Sequence, residues 1–345
     1  MKVAVVNHAW PFLYGGAEHL ASSLTAKLRE FGHDAVLLKL PFIQTPHAAV
    51  ARSILAARLL RIPLAGRIIC MRFPTYFIPH EDKVLWLLHQ YRGAYELWNT
   101  PFKSLPVNEE GRRIRQIIRR ADDEALREVR KIYTNHATTA DRLRRYNGIL
   151  AEPLTCPFGD SSRFHCAGYG DTIVAIGRIS RVKRQALAVE AMAYTRTPVK
   201  LHVAGFSEEA ELTESISALI RARKLEDKVT FEPRFISEEE KTALLASCLA
   251  AVYVPFDEDA VGYVTAEAFF SQKACVTCHD SGGVTSAVRS GLNGFVVEPD
   301  PRAIAEAFDS LYSDRALARL LGENARQWAL SIPNSWEHVI GKLLS

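Results

Sequence analysis

The feature that most constrains this chain is a glycine-rich turn set between a short apolar run and an apolar series at helical spacing. Residues 3–6 (Val-Ala-Val-Val) form the run, and Tyr14-Gly15-Gly16-Ala17-Glu18 the turn. Leu20, Leu24, Leu28 and Phe31 then recur every three or four positions up to Gly32, which stops the helix. A second apolar run, 35–40, follows at once. Strand, helix, strand in that order is a βαβ unit, and its two strands can pair only in parallel because the chain crosses back through the helix.

The pattern returns in the second half. Segments 172–176, 200–204, 229–231, 250–254 and 274–278 read as strands, with helical segments between most of them. Alternation of this kind, with glycine-rich turns after strands, predicts doubly wound α/β domains. The first half is less regular. There 84–88 reads as a strand ending at His89-Gln90, and 112–130 as an amphipathic helix with Ile114, Ile117, Ile118 and Ala121 on one side. Residues 131–133 read as a strand, and 138–146 as a helix stopped by Asn147-Gly148. From 151 to 170 periodicity disappears among Pro, Gly and Cys, which marks a linker.

With 345 residues, two domains are expected. They are a first Rossmann-like domain over 1–165, a second over 166–325, and a closing helix over 326–345 that returns to the first. Trp328, Trp336 and Val339 lie in that closing stretch. Ligands of open parallel sheets bind beyond the carboxyl ends of the strands, so both sheets are expected to aim their loops at a cleft between the domains.

Charge is unevenly divided. Residues 1–165 hold 24 Lys and Arg against 15 Asp and Glu, and the remainder 19 against 24. Such asymmetry points the first half toward an anionic partner: a lipid-phosphate surface, an anionic acceptor or nucleic acid. A solvated basic helix explains it equally well. Few aromatics interleave with Arg112, Arg113, Arg115, Arg119 and Arg120, so nucleic acid is not expected and peripheral contact with an anionic membrane is the better of the two. No apolar stretch reaches the ~18–20 residues of a membrane span, and Met1-Lys2 leads straight into a strand, so the expected compartment is the cytoplasm, with the inner membrane face as a peripheral site. The six cysteines fit that expectation: Cys70, Cys156, Cys166 and Cys248 are scattered, and the closely spaced Cys275 and Cys278 read as buried strand residues in preference to a metal or redox pair.

Four segments carry chemistry. Gly15 and Gly16 let backbone amides approach an anion at a helix start. Gly177-Arg178-Ile179-Ser180-Arg181-Val182-Lys183 follows the first strand of the second domain, and its Arg178 and Lys183, five apart, suit a diphosphate. If that diphosphate leaves in the reaction, both cations stabilise charge growing in the transition state. Asp259 and Glu267, eight apart across a loop-to-helix entry, can accept from sugar hydroxyls, while the amides of Ala260, Val261 and Gly262, just before Tyr263, can donate. Asp280-Ser281-Gly282-Gly283 is another turn after a strand, either a further wall of the same site or a tight connection.

In order and spacing these segments resemble the retaining glycosyltransferases of family 4, the group 1 glycosyl transferases with the GT-B fold of two facing Rossmann-like domains. The likeness extends over essentially the whole chain and is densest from 172 to 300. It rests on Gly15-Gly16-Ala17-Glu18, on Arg178 with Lys183, on Asp259 with Glu267, on Gly282-Gly283 and on Asn293-Gly294-Phe295. His89 in Leu88-His89-Gln90-Tyr91-Arg92 looks like the family's first-domain histidine.

The resemblance implies a hexosyltransferase that works without a metal or other cofactor, the two side-chain cations replacing the metal, with a UDP- or GDP-sugar as substrate. It implies that Arg178 and Lys183 hold the donor diphosphate with the Gly16 amide and that Glu267 binds the ribose. Asp259 with the amides of Val261 and Gly262 would hold the hexose, and His89 would sit near the anomeric carbon. The acceptor would be a sugar, a lipid-linked group or another hydroxyl. Two positions depart from the family pattern: Asp259 stands where glutamate is usual, and Ser286 where glutamate is frequent. Donor-base recognition is expected around Gly205 and Arg234. The rival expectations are a degenerate nucleotide-sugar binder docked on an anionic membrane or nucleic acid, and a GT-B nucleotide-sugar epimerase.

Overall fold

The structure is a computed structural model and describes residues 1–9, 15–158, 161–207, 209–333 and 335–345. Tyr14, the first residue of the glycine turn, lies outside them. The chain divides into two compact units: unit 1 is 1–157 together with 334–345, and unit 2 is 158–333.

In unit 1 the chain runs β1 (Lys2–Ala9), α1 (Gly16–Glu30), β2 (Asp34–Pro41), α2 (Ala48–Leu59), β3 (Arg67–Arg72), β4 (Lys83–His89), α3 (Glu109–Ala125), β5 (Lys131–Thr134), α4 (Ala137–Asn147) and β6 (Glu152–Pro153). The six strands pair in parallel in the order β2-β1-β3-β4-β5-β6. Alternation along β1 places Val3 and Val5 on one face with Leu20, Leu24 and Leu28 of α1, and Ala4 and Val6 on the other with Ile54 of α2 and Ile118 of α3. Near-continuous apolar strands are what a sheet covered on both faces requires.

Unit 2 repeats the design. Its elements are β7 (Thr172–Ile176), α5 (Gln185–Ala191), β8 (Lys200–Ala204), α6 (Ala210–Arg223), β9 (Val229–Glu232), α7 (Glu238–Ser247), β10 (Ala250–Val252), α8 (Tyr263–Phe270), β11 (Cys275–Cys278), β12 (Gly294–Val297), α9 (Pro301–Ser313) and α10 (Arg315–Ser331). The sheet is parallel throughout, in the order β12-β11-β10-β7-β8-β9. The last helix, α11 (Trp336–Leu344), belongs to unit 1. Val339, Ile340 and Leu343 enter its core, Trp336 packs edge-on to Trp86 at 6.5 Å, and Arg67 caps the Leu343 carbonyl at 2.9 Å. Each of the three apolar side chains contributes about 1.5–3 kcal/mol on burial, enough to hold this short helix in place.

Several boundaries differ from the sequence expectation. Residues 158–165 sit with unit 2, because Phe164 is buried in its core and Phe158 packs on Phe270 at 5.9 Å. Residues 326–333 also stay there, where the Trp328 ring meets Phe269 at 5.6 Å. Helix α3 starts at Glu109 because Asn108 accepts the Gly111 amide at 2.9 Å as N-cap. It ends at Ala125, short of residue 130, and Ile117, expected on its buried side, is 41% exposed. Strand β10 stops at Val252, two residues before the apolar run does.

Candidate functional site

In unit 2 the turns that follow β7, β8, β10 and β11 lie at the carboxyl edge of one sheet and are bonded to one another through backbone. After β7, the Ile179 amide donates to the Phe206 carbonyl at 2.9 Å, continuing the β7–β8 pairing past both strands. Gly205 has φ +151°, and a Cβ there would lie 2.0 Å from the Gly177 carbonyl oxygen. Only glycine permits this close approach. After β10 and β11, the Asp257 amide donates to Asp280 at 2.7 Å and the Gly283 amide to Glu258 at 2.8 Å. The Phe256 amide donates to Val182 at 2.7 Å, which ties the β10 turn to the β7 turn.

That frame presents Lys183. Its ammonium donates to Glu258 Oε2 at 3.1 Å and to the Tyr253 hydroxyl, and Tyr253 donates to the same carboxylate oxygen at 3.0 Å. Both charged side chains keep about a fifth of their surface in solvent, 22% for Lys183 and 18% for Glu258. Tyr253 also floors the start of α8, where Gly262 at φ +79° has no room for a Cβ, the ring lying 2.6 Å from that position. Arg178 stands exposed at the tip of its turn, and its carbonyl accepts from buried Gln185 at 3.0 Å.

Arg184, next to Lys183, is the fastener of the edge. It adopts φ +55°, donates to both oxygens of Asp280 at 2.7 and 2.6 Å, and reaches the Val254 and Pro255 carbonyls at 2.7 and 3.0 Å. One side chain thereby joins the turns after β7, β10 and β11. Sequence reasoning missed it, because nothing in Lys183-Arg184 shows which cation folds inward.

Beyond Gly262, α8 carries Glu267 in its second turn, 9% exposed. Its Oε1 accepts from Lys241 of α7 at 2.7 Å and lies 4.0 Å from Arg163. Arg163 and Lys241 also share Glu238, at 2.6 and 2.9 Å. These two cations were not legible, since Lys241 reads as one member of a charged helix start. Asp259 is 7% exposed in the loop just before α8, and Ala260, Val261, Gly262 and Tyr263 are half-buried beside it, Tyr263 edge-on to Phe158 at 6.1 Å. Arg178, Lys183, Asp259, Ala260, Val261, Gly262, Tyr263 and Glu267 thus all follow strand ends on one edge of one sheet. Cys275 and Cys278 are three apart on β11, enter cores on opposite faces of the sheet, and have thiols pushed up to about 12 by burial. They cannot grip one metal ion.

Unit 1 gathers its own polar group. Gly15 caps α1, and its amide donates to Glu18 at 3.1 Å; Gly16 begins the helix, exposed. Glu18 is paired with Arg72, which also donates to Asn7 Oδ1 and to the His8 carbonyl, both at 2.9 Å. His89 ends β4 opposite Arg72 on β3, with Nδ1 2.7 Å from the Gln90 carbonyl. His8, which sequence reasoning passed over, is buried at the end of β1. Burial first, then the neighbouring Arg72, depresses it to about 2, so its imidazole is neutral.

The family described as Glycosyl transferases group 1 matches residues 168–328, nearly the whole of unit 2. The second unit carries a group 1 glycosyl transferase domain. Human alpha-1,3/1,6-mannosyltransferase ALG2 is 29% identical over 163 residues, 44% of this chain and 38% of that protein. The D-inositol 3-phosphate glycosyltransferase of Jonesia denitrificans is 27% identical over 241 residues, 64% of this chain and 54% of that protein. The chain therefore aligns with only part of each relative's length. Among solved structures, sucrose-phosphate synthase from Thermosynechococcus elongatus superposes with a TM-score of 0.77 at 17% identity, covering 99% of this chain and 98% of that one. HepE from Anabaena, in complex with UDP-glucose, gives 0.74 at 16% identity, covering 100% and 98%. The group 1 domain thus sits in a chain of GT-B fold, with two parallel six-stranded sheets.

Proposed function

We propose that the chain is a retaining glycosyltransferase that moves a hexose from a UDP- or GDP-sugar to a hydroxyl acceptor, sugar or lipid-linked, without a metal. The observation that carries this is the ammonium of Lys183, held at the carboxyl edge of a group 1 domain by Glu258 and Tyr253, with buried Asp259 on the next turn. The relatives' names, a mannosyltransferase and an inositol phosphate glycosyltransferase, support the reaction class, and the UDP-glucose bound to HepE supports the donor class.

In this reading Lys183 and Arg178 take the donor diphosphate. Each member of the Lys183–Glu258 pair keeps about a fifth of its side chain in water and Tyr253 also donates to Glu258, so a diphosphate of higher charge can take the ammonium while the carboxylate keeps a donor. As the glycosidic bond breaks, negative charge accumulates on the leaving oxygens, where both cations stabilise the transition state more than the ground state. Glu267 accepts from the ribose hydroxyls, oriented by Lys241. Asp259 accepts from the hexose, and the Val261 and Gly262 amides donate to it. Gly15, Gly16 and His89 have proposed parts in donor and sugar binding that rest on the family resemblance. The leaving diphosphate takes the acceptor's proton, which places the new bond on the face the old one left.

A thermal-shift screen with nucleoside diphosphates and their sugars, without added metal, tests the donor assignment. A ligand at 100 times its Kd adds about 2.7 kcal/mol to the folded state, a rise of roughly 5–10 °C for a unit of this size. No rise with any nucleotide would overturn the proposal.

A further inference from the structure

Helix α2 carries apolar side chains on the face that a helix covering a sheet normally gives to charge. Val50, Ile54 and Ala57 turn inward, which leaves Arg52, Leu55, Ala56 and Leu59 outward. Leu55 is 63% exposed, Leu59 72%, and in the following turn Leu60 is 40% and Leu64 79% exposed. Single exposed leucines are ordinary, but four within ten residues form a patch.

Within the segment that carries the patch, charge has one sign. No acidic residue occurs between Asp34 and Glu81. Of the cations in that stretch, Lys39 is on β2, Arg67 and Arg72 are buried, and Arg58 pairs with Glu128 at 2.7 Å, while Arg52 and Arg61 stand exposed among the leucines. Arg61 lies along the end of α2, donating to the Arg58 and Leu60 carbonyls at 2.8 and 2.9 Å. Helix α3 packs into the same core on the same side of the sheet, and Arg113, Ile117 and Arg120 are exposed along its middle, with Glu109, Glu110 and Glu124 exposed towards its two ends. The arginine-rich α3 was itself the expected membrane element, but two of its five arginines turn inward. Arg115 lies over Trp98 at 5.1 Å and donates to the Ala94 carbonyl, and Arg119 lies over Tyr95 at 5.3 Å.

We propose that α2 and residues 59–64 dock unit 1 on an anionic lipid bilayer. Leucines inserted to the headgroup–acyl boundary leave Arg52 and Arg61 level with the phosphates, the arrangement an interfacial amphipathic helix needs. Unit 1 as a whole carries 24 basic against 15 acidic residues, so its field adds to the local one. A second copy of the chain fits worse, because a symmetric contact would bring two patches that both carry Arg52 and Arg61 together. Among the described residues no helix is long and apolar enough to cross a membrane, so the contact is peripheral. This inference stands apart from the proposed reaction and needs no substrate.

The test is flotation of the purified full chain with vesicles of phosphatidylcholine, with and without phosphatidylglycerol, at low and high salt. Binding is expected only with phosphatidylglycerol and is expected to weaken with salt. Each arginine at an anionic surface contributes roughly fivefold, so Arg52→Gln with Arg61→Gln should lose about 25-fold. Leu55→Ser, Leu59→Ser, Leu60→Ser and Leu64→Ser together should lose about 100-fold or more, with a small fall in melting temperature from Leu60, which is 40% exposed. The pair Leu59→Ser and Leu64→Ser repeats the test at the two most exposed positions with less risk to folding, and should lose about tenfold. Absence of binding to phosphatidylglycerol vesicles, or leucine variants that bind as the parent does, overturns the proposal. So does a concentration-dependent dimer that the leucine variants abolish.

Discussion

Arg184 allows two opposing effects to be separated at one position. Its backbone is left-handed, at φ +55°, which costs a residue with a Cβ about 1 kcal/mol relative to glycine. Its guanidinium makes four hydrogen bonds, two of them in a bidentate pair with Asp280, whose side chain is 31% exposed. Replacing Arg184 with alanine removes the bonds and keeps the strain. Water can re-solvate Asp280, but the Val254 carbonyl belongs to a residue only 2% exposed and loses its partner. The expected loss is about 2–4 kcal/mol. Glycine removes the same bonds and relieves the strain, so Arg184→Gly should be about 1 kcal/mol more stable than Arg184→Ala. For a unit of this size that is a separation of about 2–4 °C in melting temperature, with both variants below the parent and Arg184→Lys between them and it. Melting curves followed by circular dichroism give the order directly. If alanine equals or exceeds glycine, the left-handed strain is not stored where the backbone places it. If both melt with the parent, the guanidinium does not fasten the three turns.

Two further effects follow from buried groups. Asp122 of α3 is fully buried, accepts from Tyr76 at 2.7 Å and Tyr95 at 2.6 Å, and burial pushes its carboxyl up to about 7 despite those bonds. Because the folded state holds this proton more tightly than the unfolded chain, the contribution of Asp122 to stability is full below about pH 4 and falls by up to about 4 kcal/mol as pH rises to about 7. Asp122→Asn should remove that slope in urea titrations across the window, and parallel slopes for variant and parent would refute the assignment. Gly205→Ala drives a Cβ into the Gly177 carbonyl at a backbone angle that L-residues rarely adopt, so it should cost more than about 3 kcal/mol and weaken nucleotide binding. Unchanged melting would show that the β7 and β8 turns are not in contact.

Much of the sheet was legible because its strands are buried on both faces and therefore read as apolar runs between glycine turns. Strand β1, helix α1 and the strands from β7 to β11 follow that pattern. Strand β3 was missed, since Arg67 and Arg72 at its ends disguise four apolar residues, and both arginines are buried because Asp82 and Glu18, with neighbouring carbonyls, meet them. Helix α2 escaped because its outward leucines blur the amphipathic contrast that marks a helix. In the candidate site, Lys183, Asp259 and Glu267 were legible through spacing. Tyr253, Arg184, Lys241 and Arg163 were not, since each meets its partner across a separation in sequence that only the fold closes: 70 residues for Lys183 and Tyr253, 96 for Arg184 and Asp280.

Hexose transfer or donor hydrolysis by Lys183→Ala, measured beside the parent under matched conditions and without added metal, tests the central claim most directly. Losing the Lys183–Glu258 pair should cost about 1–3 kcal/mol in stability, since both side chains are mostly buried while Tyr253 still donates to Glu258. Losing a cation that stabilises the leaving diphosphate should cut the rate by about 100- to 1,000-fold. A folded variant with that deficit is the predicted result. A folded variant that transfers at nearly the parent rate would show that the diphosphate is held elsewhere and that this edge of the sheet is not the active site.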